Sequence, residues 1–143
     1  MSRLAETVDL DALVAEVAAH AGAQMVSRTP GAVVAGDCTL LVRVFENLFE
    51  NAQQAGAAVI RVAVQVMPEE VTVHVEDDGR GVAREDAERV FAPGWPGRGG
   101  AGSGLFAVAA AVEAHGGRAR CVPLARGTRF SVTLPLAACP ALA

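Results

Sequence analysis

Asn47 and Asn51 stand four residues apart in the run Asn47-Leu48-Phe49-Glu50-Asn51-Ala52. On a helix that spacing sets both carboxamides on one face. Each offers a neutral oxygen that can ligate a hard cation such as magnesium, which keeps several waters and takes its remaining ligands from substrate phosphate. Asn is a poor helix former, so two of them inside a helix need a reason; a pair of exposed polar residues on an amphipathic helix is the competing explanation. Further along, Asp77-Asp78-Gly79-Arg80-Gly81 follows a strand-like run. Glycines at alternate positions permit positive φ and let a ligand approach the backbone, and a carboxylate at a strand end can accept hydrogen bonds from an exocyclic amine. Taken alone, the run also fits an ordinary acidic turn. The third piece, Arg98-Gly99-Gly100-Ala101-Gly102-Ser103-Gly104-Leu105, leads into a helix, where free N–H groups and the positive dipole end favour phosphate. It fits a flexible surface loop equally well. No Gly-Lys-Ser/Thr follows it and no strand immediately precedes it, so neither the lysine-bearing phosphate loop nor the dinucleotide fingerprint is implied.

The elements that must hold these residues follow from periodicity and caps. Asp9 or Asp11 can cap a helix running to about His20, with Leu10, Leu13, Val14 and Val17 on one face and Gly22 as its stop. Residues 23–28 and 32–35 read as two short strands about Thr29-Pro30-Gly31, which favours a hairpin. Asp37 can cap a long helix over residues 39–55, where Leu40, Val44, Leu48 and Ala52 recur every four residues beside Leu41, Phe45 and Phe49. Alternation over residues 58–66 and 71–75 predicts two antiparallel strands with one buried face. A helical turn near residues 84–90 precedes a Gly- and Pro-rich stretch, 92–102, expected to be mobile. An apolar helix over residues 104–115 stops at Gly116-Gly117, and strands at 118–122 and 128–134 close the chain. The expected fold class is α+β, a two-layer α/β sandwich with a mixed, mostly antiparallel sheet on one side and helices on the other. Its 143 residues suit one domain with a proper core, so residues 1–143 read as a single unit.

Composition excludes several classes of function. The apolar fraction is 52%, much of it Ala, and the longest apolar run, Leu105 to Val112, is far short of a membrane span. The first residues lack a basic stretch leading into an apolar core, so no secretory signal is expected and the reading is cytoplasmic. Cys38, Cys121 and Cys139 are odd in number with no metal-ligand spacing, which leaves them as buried or incidental thiols. A net charge of −4 without a dense basic cluster argues against nucleic acid as the main partner.

The order of the pieces is more specific than any one of them. Asn47 and Asn51, then Asp77-x-Gly79-x-Gly81, then Phe91, then Gly102-x-Gly104-Leu105, then Gly127-Thr128 before an alternating strand, resemble the N, G1, F and G2 boxes of the GHKL (Bergerat-fold) ATPase superfamily. The resemblance runs from about Asp9 to Pro135. In gyrase-, Hsp90- and MutL-like ATPases and in anti-sigma kinases, the position four before the magnesium Asn is typically Glu, the base for the attacking water in the ATPases. Here it is Asn47, the histidine-kinase pattern, and Glu46 and Glu50 are rotated away on the helix. The segment Val90-Phe91-Ala92-Pro93-Gly94-Trp95 also looks like the short lid of citrate- and fumarate-sensor kinases.

The resemblance implies the catalytic, ATP-binding domain of a two-component sensor histidine kinase with ATP and magnesium as cofactors and an ATP lid at about 92–104. It implies that Asn51, helped by Asn47, holds magnesium on the triphosphate. Asp77 would accept the adenine amino group with Thr128 in support, and Gly79 and Gly81 would shape the adenine pocket. Gly102 and Gly104, at the start of the helix carrying Leu105, would turn N–H groups to the phosphates, and Arg98 would reach them from the lid. No residue is singled out as catalytic in the covalent sense, since phosphoryl transfer needs mostly positioning and charge neutralisation. Phe106, where the G2 box usually has a small residue, is expected to crowd the lid hinge.

The acceptor histidine of such kinases begins a His-Glu-x-x-Arg-Thr-Pro segment. Arg28-Thr29-Pro30 has no His in reach, and His20, His74 and His115 lack an acidic neighbour after them, reading as helix-end or strand-surface residues. The expected partner is therefore a histidine-bearing dimerisation domain, upstream in a longer chain or on another protein, with a response regulator served indirectly. No nucleic acid and no membrane contact by this domain are expected. Two alternatives stay open: a non-catalytic nucleotide-sensing or partner-binding module of the same fold, and a self-standing ATPase.

Overall fold

A computed structural model describes residues 6–95 and 104–137. Three helices carry one layer. In α1, Leu10–Ala21, the Asp9 carboxylate accepts the Ala12 N–H at 3.1 Å, and Gly22 takes the left-handed conformation (φ 75°) that lets its N–H reach the Ala18 and Ala19 carbonyls. Asp9, not Asp11, is thus the cap; the Asp11 carboxylate instead accepts from Arg28 Nε at 2.7 Å and Thr29 N–H at 3.0 Å. In α2, Cys38–Gln54, the Asp37 side chain accepts the Leu40 N–H at 3.2 Å. Leu41, Val44, Phe45, Leu48, Phe49 and Ala52 are buried along one face, while Leu40, expected in that stripe, is 43% exposed at its edge. In α3, Gly104–Ala114, only Leu105, Val108 and Val112 are fully inward.

α3 runs antiparallel to α2, and its end is tied to the start of α2 by His115. That buried imidazole donates from Nδ1 to the Ala111 carbonyl (2.7 Å) and accepts the Asp37 N–H at Nε2 (3.1 Å), which fixes the neutral tautomer. His115 is a helix-end residue as expected.

The second layer is a five-stranded sheet in the order β2-β4-β5-β7-β6. Its strands are β2 (Gln24–Ser27), β4 (Ile60–Val66), β5 (Glu70–Asp77), β6 (Arg118–Pro123) and β7 (Thr128–Pro135). β4, β5, β7 and β6 pair antiparallel, and β2 lies parallel to β4. Valines 62, 64, 71, 73, 75 and 132, with Phe130 and Leu134, form the face buried under the helices. The opposite face carries Thr72 bonded to Thr133 (2.9 Å), His74 bonded to Ser131 (2.8 Å) and Arg129 paired with Glu76 (2.7 Å). This is the expected mixed, mostly antiparallel α+β sandwich with one wet sheet face.

The hairpin expected about Thr29-Pro30-Gly31 does not form. β3 (Val33–Ala35) pairs antiparallel with β1 (Thr7–Asp9) in a separate two-stranded sheet, whereas β2 joins the main sheet. Thr29 Oγ1 donates to the Val64 carbonyl at 2.7 Å and Arg28 is held by Asp11, so the turn is pinned to β4 and α1 and sends the chain away from β2. Cysteines expected as buried or incidental are placed differently: Cys38 is exposed at the start of α2, Cys121 is half-buried on β6, and Cys139 lies outside the described residues. Among the described residues no helix is long and apolar enough to cross a membrane.

Candidate functional site

The last turns of α2 carry Asn47 and Asn51, and Asn47 lies on the α3 side of the helix layer. Asn47 Nδ2 donates to the Gly104 carbonyl at 3.4 Å, joining the end of α2 to the first residue of α3. Asn51 Oδ1 is buried and has no hydrogen-bond partner among the described residues. An uncompensated buried carbonyl is costly, so an ordered water, an ion or a ligand atom is expected to meet it. One turn on, the Ala55 carbonyl at the end of α2 accepts the Arg80 N–H at 2.9 Å, and this contact clamps the helix end to the loop that follows β5.

Asp77 ends β5 and is 5% exposed. Its Oδ1 accepts the Gly79 N–H at 2.8 Å, a turn in which the side chain mimics backbone. Gly79 has no room for a side chain: a Cβ there would stand 2.7 Å from the Ala55 carbonyl and 2.9 Å from Ala55 Cβ. Its requirement is close approach to α2. Gly81 has φ +83° and packs on the Gly127 carbonyl; Gly127, also left-handed, lies so close that a Cβ would overlap the Asp77 carbonyl. In the ladder Asp77 stands between Ile60 and Thr128. Thr128 is fully buried, and its Oγ1 is the second buried oxygen with no partner among the described residues. Asp78 turns the other way, accepting the Ala58 N–H at 2.8 Å and the Val59 N–H at 3.0 Å. These N–H groups, that of Val59 first, hold its carboxyl below the usual range.

Beyond this loop, Phe91 meets Phe130 edge-on with ring centroids 6.0 Å apart, so the segment before the lid is anchored on β7. Leu105 is buried and Phe106 is 45% exposed. The helical phase of α3 turns Leu105 inward and Phe106 outward, and residues 96–103 of the lid that Phe106 was expected to crowd lie outside the described residues. Gly104 has open space, its nearest side-chain neighbour being Asn47 Cγ at 3.8 Å from an added Cβ. Arg98 and Gly102 lie outside the described residues.

The structure therefore gathers Asp77, Gly79, Gly81, Gly127 and Thr128 with the Ala55 backbone where the α2 end, the β5 end and the β7 start meet, with Asn51 one turn back on α2 and with Asn47 joined to Gly104, next to Leu105, on the α2–α3 side. In the sequence only motif order separates the two aspartates; in the structure hydrogen bonding separates them, Asp78 closing the α2–β4 loop and Asp77 holding the Gly79 turn. Ala55 was not distinguishable in the sequence, since its part is played by a backbone carbonyl. Among the described residues no group of three or more His, Cys, Asp or Glu could hold a metal. A cation here would rely on the carboxamide oxygens and on ligands brought by the substrate, which is the donor set magnesium accepts when it arrives with phosphate.

The sequence profile described as histidine kinase-, DNA gyrase B-, and HSP90-like ATPase matches residues 36–138. Sensor protein RstB of Escherichia coli K12 is 35% identical over 114 residues, covering 74% of this chain and 26% of the relative. Sensor histidine kinase CpxA of the same strain is 34% identical over 110 residues, covering 71% and 24%. The chain thus spans about a quarter of the length of these relatives. Among solved structures, the mycobacterial sensor histidine kinase MprB superposes with a TM-score of 0.78 at 25% identity, over 91% of this chain and 96% of that one. The ATP binding domain of PrrB from Mycobacterium tuberculosis gives 0.79 at 23% identity over 92% and 97%, a likeness of fold. With fold, ordered boxes and profile in agreement, the chain belongs to the histidine kinase-, DNA gyrase B-, and HSP90-like (GHKL) ATPase family, as a homologue of the ATP-binding domains of sensor histidine kinases.

Proposed function

We propose that this chain binds magnesium-ATP at the α2–β5–β7 junction and donates the γ-phosphoryl group to a histidine on a separate dimerisation domain, in two-component signalling. The observation that carries the proposal is a pair of buried oxygens with no partner among the described residues, Thr128 Oγ1 opposite Asp77 in the ladder and Asn51 Oδ1 one turn before the Ala55 carbonyl that clamps the loop after β5. Native interiors satisfy such atoms, and a bound nucleotide with its cation would do so here. Asp77 accepts the adenine amino group and Thr128 supports it, directly or through water. Gly79 and Gly81 keep the pocket wall thin. Asn51, with Asn47, would hold the magnesium, which would supply positive charge to offset that of the phosphates. Gly104 would present its N–H group to the phosphates at the start of α3, with Leu105 anchoring that helix in the core, and motif order assigns Gly102 and Arg98, outside the described residues, to the same phosphates.

The environment of α2 fits transfer to a nucleophile better than hydrolysis. Asn47 faces α3 and cannot take a proton from water. Glu46 and Glu50, the neighbouring carboxylates, line the opposite flank of α2 toward α1, away from the junction. An imidazole, itself a nucleophile, needs less activation than water. In this reading the chain acts in the cytoplasm as one catalytic domain whose acceptor histidine and response regulator are supplied elsewhere. The test is incubation with γ-labelled ATP, magnesium and a histidine-bearing dimerisation domain from a sensor kinase, alone and fused to this chain. Acid-labile phosphohistidine on the added domain is expected. Saturated nucleotide binding with no label transferred, even in the fusion, would replace the kinase reading by a nucleotide-sensing module; sustained hydrolysis sensitive to Glu46→Gln or Glu50→Gln would replace it by an ATPase.

A further inference from the structure

The flank of α2 that faces away from α3 looks across a groove at α1. The groove encloses about 1010 Å³, against about 350 Å³ for the cleft between Gly79–Ala83 and Leu124–Gly127. Its floor is apolar, made by Val8, Leu13, Val17, Ala21, Val42 and Phe49. Val8, Leu13 and Val17 each keep 8% of their surface open, so the floor is recessed but reachable. The banks are acidic on both sides: Glu6, Asp9 and Glu16 on the β1–α1 side, Glu46 and Glu50 on α2, all exposed. Among the described lining residues none is Lys or Arg, and His20 at the end of α1 is the one basic side chain.

Of these acids, Asp9 is engaged in capping α1, and Glu46 has Arg43 at 3.9 Å in an exposed pair of little worth. Glu6, Glu16 and Glu50 have no ion-pair partner among the described residues. Like charges on facing banks repel and focus a negative field into the groove, which favours a cationic occupant. The 12 residues of α1 make a groove about 18 Å long at 1.5 Å per residue, the length of about three turns of a packed helix.

We propose that the α1–α2 groove docks an amphipathic helix of a partner protein, its apolar stripe filling the floor and its flanking Arg or Lys residues pairing with the acidic banks. A second copy of this chain is a poor occupant, since a two-fold contact would set the same acidic banks against each other in a chain of net charge −4. None of Asn47, Asn51, Asp77 and Thr128 lines the groove, so docking is separate from the nucleotide junction and independent of its assignment.

The probe is a labelled synthetic helix of about 16 residues with Leu at i, i+3, i+4 and i+7 and Arg on both flanks, beside a twin with Glu in place of Arg. Fluorescence anisotropy is expected to give at least about tenfold tighter binding of the basic peptide at low salt, a preference that shrinks as salt is added. Amide shift changes are expected to cluster on α1 and α2. The double variant Glu16→Arg with Glu46→Arg, both exposed positions, should keep its circular dichroism and reverse the preference; Val42→Glu should weaken both peptides. The proposal is overturned by equal binding of the two peptides, by no binding at millimolar concentration, by shifts centred on the open sheet face, by an unchanged preference in the double variant, or by sedimentation showing wild-type dimers joined through these residues.

Discussion

Replacing Thr128 by Val separates a ligand role from a structural one by sign. Both residues are β-branched and suit the start of β7, so the strand is preserved. Thr128 is fully buried, and its hydroxyl has no partner among the described residues. A buried polar group left unsatisfied costs about 1–3 kcal/mol, and the substitution removes that cost from the nucleotide-free protein. At this chain length about 1 kcal/mol corresponds to roughly 3–5 °C in Tm, so the unliganded variant should melt several degrees higher than wild type. With nucleotide the sign inverts: the contact that satisfied the hydroxyl is lost, and about 1–3 kcal/mol corresponds to roughly five- to a hundredfold weaker ATP binding. Differential scanning calorimetry without nucleotide, paired with calorimetric titration of magnesium-ATP, reads both halves. A lower unliganded Tm in Thr128→Val would refute the reasoning because it means the hydroxyl is already satisfied inside the protein, and an unchanged ATP affinity would refute it because it means the hydroxyl does not meet the nucleotide.

Three further outcomes are expected. Asn51→Ala should abolish the magnesium dependence of ATP binding while shifting the unliganded Tm little, since the deleted oxygen has no partner among the described residues and the relief of removing it offsets the packing lost with the side chain; titration with and without magnesium checks it. Gly79→Ala should lower Tm, by about 1–3 kcal/mol of overpacking against the Ala55 backbone, whereas Gly104→Ala, with open space, should fold as wild type; parallel melts decide. Burial opposes the Asp11 charge, but Arg28 and Thr29 hold its pKa down, and the Val59 and Ala58 N–H groups do the same for Asp78. For acids with depressed folded pKa, the stability they confer is present above the unfolded value of about 3.9 and lost as pH falls through the folded values. Melts below about pH 4 should therefore fall steeply, with Asp78→Asn flattening that limb. His74, whose pKa is lowered by burial and then by Arg129, adds a gentler loss beginning as pH drops through about 6.5.

Local chemistry was the legible part of the sequence. The Asp37 cap, the burial stripe of α2 and the alternation of β4, β5 and β7 are written in short-range patterns, and the structure follows them. The Asp77-x-Gly79-x-Gly81 spacing brought forward residues that the fold packs together against the Ala55 backbone and Gly127, and the Asn47/Asn51 spacing lies on one helix, with Asn47 meeting the start of α3. Strand partnership was less readable. Alternation over residues 23–28 and 32–35 says that strands exist but not that β2 turns to β4 and β3 to β1, a choice made by long-range bonds from Thr29 and Arg28. β1, three residues long before a helix cap, left no period to read. The part played by the Ala55 carbonyl is invisible in any side-chain pattern.

The most direct measurement is a calorimetric titration of magnesium-ATP into the wild-type chain and into Asp77→Asn, with circular dichroism run on both. Asp77 meets the adenine amino group in the proposed complex, and the change of one oxygen to an NH2 turns an acceptor into a donor there while leaving the backbone and volume alone. Saturable one-to-one heat is predicted for the wild type, with the heat lost or the affinity cut by at least about tenfold in the variant and the spectra superimposable. No heat from the wild type at millimolar ATP, or equal affinity in both chains, would contradict it.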